Sequence, residues 1–185
     1  MNIHPKLISL TKQLYKKPKC CVEMDGEVSG WKTQKTGIRQ GCTLSPYLFL
    51  ITMSVIFHDV HNDPTLEHLL EQSRPPNLHQ DEVLYADDTV LYSTDSATAE
   101  ALLHKVEECS EKCGLTLNKG KCETVNTNSN RQRIKLKNGN LVRKTSETKC
   151  LGCKIPAKAE TEKKSSAEKE NAWQHGKTGN VVETQ

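Results

Sequence analysis

The sequence predicts an α+β fold in which helices pack against a small antiparallel sheet. Apolar residues recur at helical spacing in two segments, 4–17 and 96–113, whereas short alternating segments bounded by Gly, Asn or Asp predict β-hairpins. With 185 residues, 35% of them apolar, and only two Trp, four Tyr and two Phe, the chain supports one domain at most, with a modest core.

The first thirty residues predict a helix followed by a hairpin. In the segment 4–17 three leucines fall on one helical face, and Pro18 ends the helix because proline cannot continue the hydrogen-bonding pattern. The segment 19–31 alternates apolar side chains on either side of Asp25-Gly26, a pair that is typical of a two-residue turn.

The middle of the chain predicts a second helix and an acidic hairpin. Ser45-Pro46 is typical of a helix start, and the largely apolar segment 47–60 predicts a buried helix. A polar loop around a short helix at 66–71 follows. The segments 82–86 and 89–93 then predict two short strands that place Asp87 and Asp88 at a hairpin tip.

The last predicted helix spans 96–113, begins at Asp95 or Ser96 and ends at Gly114. Further strands are predicted near 115–118, 122–127, 132–143 with a turn at Asn138-Gly139, and 148–155.

Two parts of the chain differ in organisation. Residues 1–155 carry the periodic elements and predict one folded domain. Residues 156–185 have few apolar side chains and no sustained period, so they predict a disordered or frayed helical tail.

Charge is strongly segregated along the chain. Residues 1–45 carry a net charge of +5, residues 46–118 a net charge of −10 and residues 119–155 a net charge of +8. Such a pattern suits a protein that binds phosphate with one surface and cations with another, although solvated faces also differ in charge by chance. No apolar run reaches the roughly 20 residues of a membrane span, and no secretory leader is visible. We therefore expect a soluble, intracellular protein, in the nucleus or the cytoplasm.

The acidic pair Asp87-Asp88 is the strongest local signal of chemistry. Two ionised carboxylates some 4 to 5 Å apart repel by about 3 to 4 kcal/mol at an effective dielectric constant near 20. A divalent cation removes that repulsion, and hard oxygen ligands with open positions suit Mg²⁺ shared with substrate phosphates. The alternative is a solvated turn, in which aspartate is common.

Four sequence blocks together resemble the palm of the reverse transcriptases of non-LTR (LINE-type) retrotransposons. In order, they are GIRQGCTLSPYLF at 37–49, LYADDTVLYS at 84–93, GLTLNKGKCE at 114–123 and KCLGCKI at 149–155. The resemblance implies a palm-like antiparallel sheet backed by helices, incomplete because fingers and thumb have no counterpart. It also implies RNA-templated DNA synthesis with an RNA template, a DNA primer, deoxynucleoside triphosphates and two Mg²⁺ ions, with Mn²⁺ as a substitute.

The resemblance implies roles for residues in the first two blocks. Gln40 and Gly41 would contact the incoming nucleotide and the template, and Arg39 would face phosphate. Asp87 would be the main metal ligand and catalytic residue, with Asp88 beside it as its less demanding neighbour.

The later blocks imply roles on the primer and leaving-group sides. Tyr85 would shape the hairpin and lie near the primer end, with core packing as the alternative. Lys121 would neutralise or protonate the leaving pyrophosphate. Leu151 and Gly152 match a primer-gripping hairpin, although Cys150 stands where the family has an aromatic residue.

One catalytic block of the family is missing from the sequence. The two-metal reaction also uses an aspartate beside an earlier strand, and no such block occurs before residue 37. We therefore expect a truncated palm without polymerase activity as this chain, and keep a decayed, non-catalytic remnant or nucleic-acid-binding module as the alternative.

The cysteines raise a third hypothesis, a structural zinc site. The pairs Cys109/Cys113 and Cys150/Cys153, with His58 and His61, have spacings that zinc ligands use. Because Cys109 lies on the apolar stripe of a predicted helix and Cys150 in a predicted strand, we expect packing rather than metal binding.

Overall fold

The computed structural model describes residues 3–39, 41–126, 132–150, 153–157 and 180–184. The chain divides into two compact units, residues 1–45 and residues 46–185. The expected folded domain over residues 1–155, followed by a tail over 156–185, stays a prediction.

The first unit contains one helix and two small hairpin-like sheets. Helix α1 (Pro5–Leu14) begins with proline, and the ring of His4 accepts a hydrogen bond from Lys6 N at 3.2 Å. Strand β1 (Lys19–Cys20) pairs with β4 (Lys32–Thr33), and β2 (Glu23–Met24) pairs with β3 (Glu27–Val28). The predicted Asp25-Gly26 turn is confirmed, with φ of 53° and 82° at the two residues.

The second unit begins with two helices. Helix α2 (Ser45–His61) straddles the boundary between the units, and α3 (Pro64–Ser73) is longer than the predicted 66–71. Asp63 caps α3 by accepting hydrogen bonds from the backbone of Thr65 and Leu66.

The expectation that α2 is buried is only half correct. Ile56 and Val60 on one face are fully buried in the core. Tyr47, Leu50 and Val55 are 66%, 52% and 40% exposed. Tyr47 and Val55 point away from the buried face, whereas Leu50 lies in the first two turns of the helix, before its buried part.

A five-stranded sheet forms the frame of the second unit. Its strands are β5 (Glu82–Tyr85), β6 (Asp88–Ser93), β7 (Glu123–Asn126), β8 (Arg143–Lys144) and β11 (Asn180–Thr184). Their order in the sheet is β5-β6-β11-β7-β8, and all pairs are antiparallel except β7 with β8. Strands β9 (Glu147–Cys150) and β10 (Cys153–Pro156) form a separate antiparallel hairpin.

Strand β11 lies within residues 156–185, for which the sequence predicts a disordered or frayed helical tail. Val182 lies opposite Leu91 of β6 on one side and Thr124 of β7 on the other. Sequence period could not find this strand, because its five residues gain their hydrogen bonds from distant strands. The predicted tail also includes residues 158–179, which lie outside the described residues.

Helix α4 (Ser96–Lys112) covers the sheet and confirms the predicted helix. Leu102 and Leu103 are completely buried and pack with Leu91 of β6. The predicted strand at 115–118 is wrong: Leu115 and Leu117 pack against the core, but their segment forms no strand. Within the described residues, no helix has the length and apolar character that crossing a membrane requires.

Candidate functional site

The acidic pair lies on a two-residue hairpin, as the sequence predicts. Tyr85 at the end of β5 pairs with Asp88 at the start of β6, so Ala86 and Asp87 form the tip. Ala86 adopts a left-handed φ of 52°, which closes the tight turn at some steric cost. Asp87 is exposed and Asp88 is half-buried.

Neither carboxylate of the tip has an ion-pair partner among the residues that the structure describes. Within the described parts of the chain, no side chain or backbone group forms a hydrogen bond or ion pair with the carboxylate of Asp87 or of Asp88. Their oxygens remain available as ligands, and their chemistry fits a hard divalent cation. Two carboxylates make an open site, and in the described ranges no group of three or more His, Cys, Asp or Glu residues converges to hold a metal ion.

Tyr85 faces outward beside the acidic pair. Its side chain is 64% exposed, which excludes the alternative that it packs in the core. A phenol ring in this position is available to a ligand that approaches the tip.

The base of the acidic hairpin is tied to the two preceding helices. His61 at the end of α2 contacts both carboxylate oxygens of Glu82, at 3.1 and 3.0 Å. Arg74, directly after α3, donates two hydrogen bonds to Asp81, from Nε at 3.1 Å and from Nη2 at 2.7 Å. The bidentate contact with Asp81 raises the pKa of Arg74. These contacts fix where the tip projects.

Lys121 lies at the same edge of the sheet as the acidic pair. Glu183 of β11 is opposite both Val90 of β6 and Glu123 of β7, so Val90 and Glu123 lie at the same height along their strands. With strands about 4.8 Å apart, Val90 and Glu123 are about 10 Å apart across β11. Asp88 lies two positions before Val90, and Lys121 lies two positions before Glu123 in the turn that leads into β7, so both are at the same end of the sheet.

The loop that carries Lys121 is held by its neighbour Lys119. Lys119 Nζ lies 2.6 Å from Glu107 Oε1, and the Glu107 side chain is only 2% exposed. Burial by itself raises the pKa of Glu107, but the hydrogen bonds from Lys119 and from the N–H of Lys137 outweigh it and hold that pKa below its usual value. Lys121 is exposed, and its side chain has no ion-pair partner in the described residues.

Sequence reasoning missed Glu107 as a positioning group. A glutamate on the apolar stripe of a predicted helix was the available signal, because a charge on a buried face needs a partner. Its partner Lys119 lies in the basic segment 119–155, so the charge pattern alone did not show this ion pair.

The sequence-predicted residues of the first unit have mostly internal contacts. The Arg39 guanidinium lies 5.3 Å from the centre of the Tyr15 ring and donates a hydrogen bond to Leu14 O. Gly41 has a φ of 78°, a conformation that favours glycine just before α2. Gln40 lies outside the described residues.

The remaining predicted residues are on the primer side. Leu151 and Gly152 lie outside the described residues, between β9 and β10. The side chains of Cys150 and Cys153 are likewise not described, whereas Cys109 is buried in the core. Burial raises the pKa of the Cys109 thiol, which is the environment of a packing residue rather than of a metal-binding thiolate.

An acidic hairpin tip offers oxygen ligands that suit a divalent metal, and an exposed lysine offers a positive charge that suits phosphate. The family described as reverse transcriptase (RNA-dependent DNA polymerase) matches residues 1–155. The chain belongs to this family. No solved structure matches it significantly. Membership implies a nucleic-acid template, nucleotide substrates and, in general, divalent metal ions.

Proposed function

We propose that the chain is the palm portion of a non-LTR (LINE-type) retrotransposon reverse transcriptase, truncated relative to a longer parent. The observation that supports it most is the Asp87-Asp88 tip, whose carboxylates have no partner in the described residues and which lies at the same end of the sheet as Lys121. Residues 1–155 would be the partial palm. The parent reaction would be RNA-templated DNA synthesis from a DNA primer and deoxynucleoside triphosphates.

Asp87 and Asp88 would hold Mg²⁺, with Mn²⁺ as a substitute. Bound there, the metal would supply charge neutralisation on phosphate and a lower pKa for the primer hydroxyl. The exposed Lys121 would neutralise the leaving pyrophosphate, because its ammonium forms no ion pair with any residue that the structure describes.

Other residues would position the substrates. Tyr85, exposed beside the tip, would contact the primer end. Arg39, Gln40 and Gly41 would contact nucleotide and template, and Leu151 with Gly152 would hold the primer. For Arg39 this requires that the contact with Tyr15 leaves part of the guanidinium accessible.

A strand that supplies a further carboxylate can pair with the acidic hairpin in two places in the described sheet. One is the outer side of β5, which is an edge strand, and the other is the position that β11 holds beside β6. We propose that the aspartate-bearing strand of the parent takes the position of β11, level with Thr184, which lies opposite Thr89. The chain alone would then lack the group that completes a two-metal site.

Primer extension on an RNA template with Mg²⁺ tests this proposal. The chain as given should extend no more primer than the Asp87→Ala, Asp88→Ala double variant. A version extended upstream to include an aspartate-bearing strand and fingers should extend the primer, and the same double variant should abolish that activity. Template-dependent extension by the chain alone would contradict the proposed truncation. An inactive extended version that still binds RNA would favour the second candidate.

The second candidate is a non-catalytic, nucleic-acid-binding remnant. One observation favours it: among the described residues only two carboxylates meet at the tip. This candidate predicts RNA binding that is unaffected by the double aspartate change and no activity in any extended version.

A further inference from the structure

Residues 132–144, here called the basic hairpin, form a compact turn whose charges are all positive. Gly139 N donates a hydrogen bond to Leu136 O at 2.8 Å, and Val142 N donates one to Ile134 O at 2.9 Å. The predicted turn at Asn138-Gly139 is confirmed, with a φ of 83° at Gly139. The segment contains five Lys and Arg residues and no Asp or Glu.

Burial alternates along the basic hairpin. Ile134, Leu136 and Val142 are 1%, 3% and 3% exposed and belong to the core. The cations between and after them are all exposed: Arg133, Lys135, Lys137, Arg143 and Lys144. The apolar residues therefore hold the hairpin on the fold while the cations project outward.

Helix α4 fixes the backbone of the basic hairpin. Glu100 Oε2 accepts a hydrogen bond from Lys135 N at 2.7 Å, and the His104 ring donates one to Lys135 O at 2.8 Å. One turn further along, Glu107 Oε2 accepts a hydrogen bond from Lys137 N at 3.4 Å. These hydrogen bonds pair backbone groups of the basic hairpin that would otherwise be unpaired, so the cations project from an ordered backbone.

Most of these cations are not used in internal ion pairs. Arg143 pairs with Glu123 of β7. Across the described ranges, no carboxylate forms an ion pair with Arg133, Lys135, Lys137 or Lys144. Unpaired, ordered and exposed cations are available to an external polyanion.

The basic hairpin continues into the edge of the sheet that carries the candidate site. Arg143 of β8 lies opposite Glu123 of β7, which is level with Val90 of β6. Three strand spacings separate β6 from β8, a distance of about 14 Å. A strand of nucleic acid that leaves the acidic tip along this edge would reach the basic hairpin.

We propose that the basic hairpin binds the phosphate backbone of a nucleic-acid strand, through Arg133, Lys135, Lys137 and Lys144. Residues 132–149 contain no aromatic side chain for base stacking, so binding should be independent of sequence. The choice of nucleic acid over an acidic protein rests on the proposed function. RNA and DNA share this phosphate chemistry, and the test below includes both.

Salt-dependent binding of labelled single-stranded RNA and DNA oligonucleotides tests this inference. The affinity of the chain, measured by fluorescence anisotropy, is compared with that of the Arg133→Gln, Lys135→Gln, Lys137→Gln triple variant. Because each phosphate contact to a single strand adds about 0.7 to the slope of log affinity against log salt, the triple variant should lose about 2 from that slope. The ratio of the affinity of the unchanged chain to that of the triple variant should therefore fall about 20-fold between about 50 and 200 mM salt.

A single pair of variants provides the matched control. Lys135→Gln and Lys112→Gln each remove one exposed lysine, but Lys112 already pairs with Glu108 at 2.7 Å on α4. Only Lys135→Gln should lower the slope, and thermal unfolding should be the same for both. Equal slopes for the chain and the triple variant, or an equal loss with Lys112→Gln, would overturn the assignment of the basic hairpin while leaving the proposed function standing. If the chain binds neither RNA nor DNA, both fail.

Discussion

Replacing Arg74 should destabilise the fold more than replacing its partner Asp81. The two side chains differ in exposure, 29% for Arg74 and 1% for Asp81. Arg74→Met leaves a buried carboxylate without its cation, and such losses cost about 3 to 5 kcal/mol. Partial access of water at the arginine position places the expected loss near the lower end, about 3 kcal/mol. Asp81→Asn keeps an acceptor and leaves a cation that water can reach, so about 1 kcal/mol is expected.

Urea unfolding measures this difference directly. With a slope of about 2 kcal/mol per M urea, the difference of about 2 kcal/mol separates the two unfolding midpoints by about 1 M. The double variant Arg74→Met, Asp81→Leu should recover part of the loss, because it removes the stranded charge. Equal midpoints for the single variants, or a larger loss for Asp81→Asn, would refute the view that burial of Asp81 makes this pair costly to break.

Three further outcomes follow from the described contacts. The pKa of Glu107 is lower in the folded protein than in the unfolded chain, so the ionised carboxylate stabilises the fold above its unfolded pKa of about 4.3. This stabilisation is lost as the pH falls through the lower folded pKa, so the unfolding midpoint of the Glu107→Gln variant should depend less on pH across this range. Iodoacetamide followed by mass spectrometry should label Cys42 well before Cys122, because the N–H of Leu44 and the hydroxyl of Ser45 lower the pKa of Cys42 whereas burial raises that of Cys122 to about 11; equal rates would contradict this. Deleting residues 157–185 removes β11 from between β6 and β7 and should lower the melting temperature by several degrees, an effect absent if β11 does not pair as described.

Local signals in the sequence were sufficient for the elements that form the candidate site. Alternating apolar residues on either side of Asp87-Asp88 predicted the β5-β6 hairpin, and the period of 96–113 predicted α4. The turns at Asp25-Gly26 and Asn138-Gly139 were also predicted, because few residues other than Gly, Asn and Asp adopt left-handed backbone at low cost.

Long-range pairing and exposure were not predictable from the same signals. Strand β11 takes its hydrogen bonds from strands more than 50 residues away, and two adjacent valines in a polar tail give no period. Helix α2 is apolar on all sides, so sequence alone did not show that Tyr47 and Leu50 would be exposed. That Asp88 and Lys121 lie at the same end of the sheet likewise depends on the register of β11 with β6 and β7, which no local pattern encodes.

The ion-pair roles of the lysines were hidden for a related reason. Lys119 and Lys121 are two residues apart in one loop, yet only Lys119 meets the buried Glu107. A sequence shows both as surface charges, since the partner lies on a helix whose orientation is set by core packing.

Binding of Mn²⁺ at the acidic tip, followed by NMR, tests the central claim most directly. Because the unpaired carboxylates of Asp87 and Asp88 are the proposed ligands, substoichiometric Mn²⁺ should broaden the amide signals of Tyr85 to Thr89 first. The amide of Lys121, which lies at the same end of the sheet, should broaden next. Both effects should disappear in the Asp87→Ala, Asp88→Ala variant. Broadening that begins at another acidic cluster, or that persists unchanged in this variant, would contradict the assignment of the hairpin tip as the metal site.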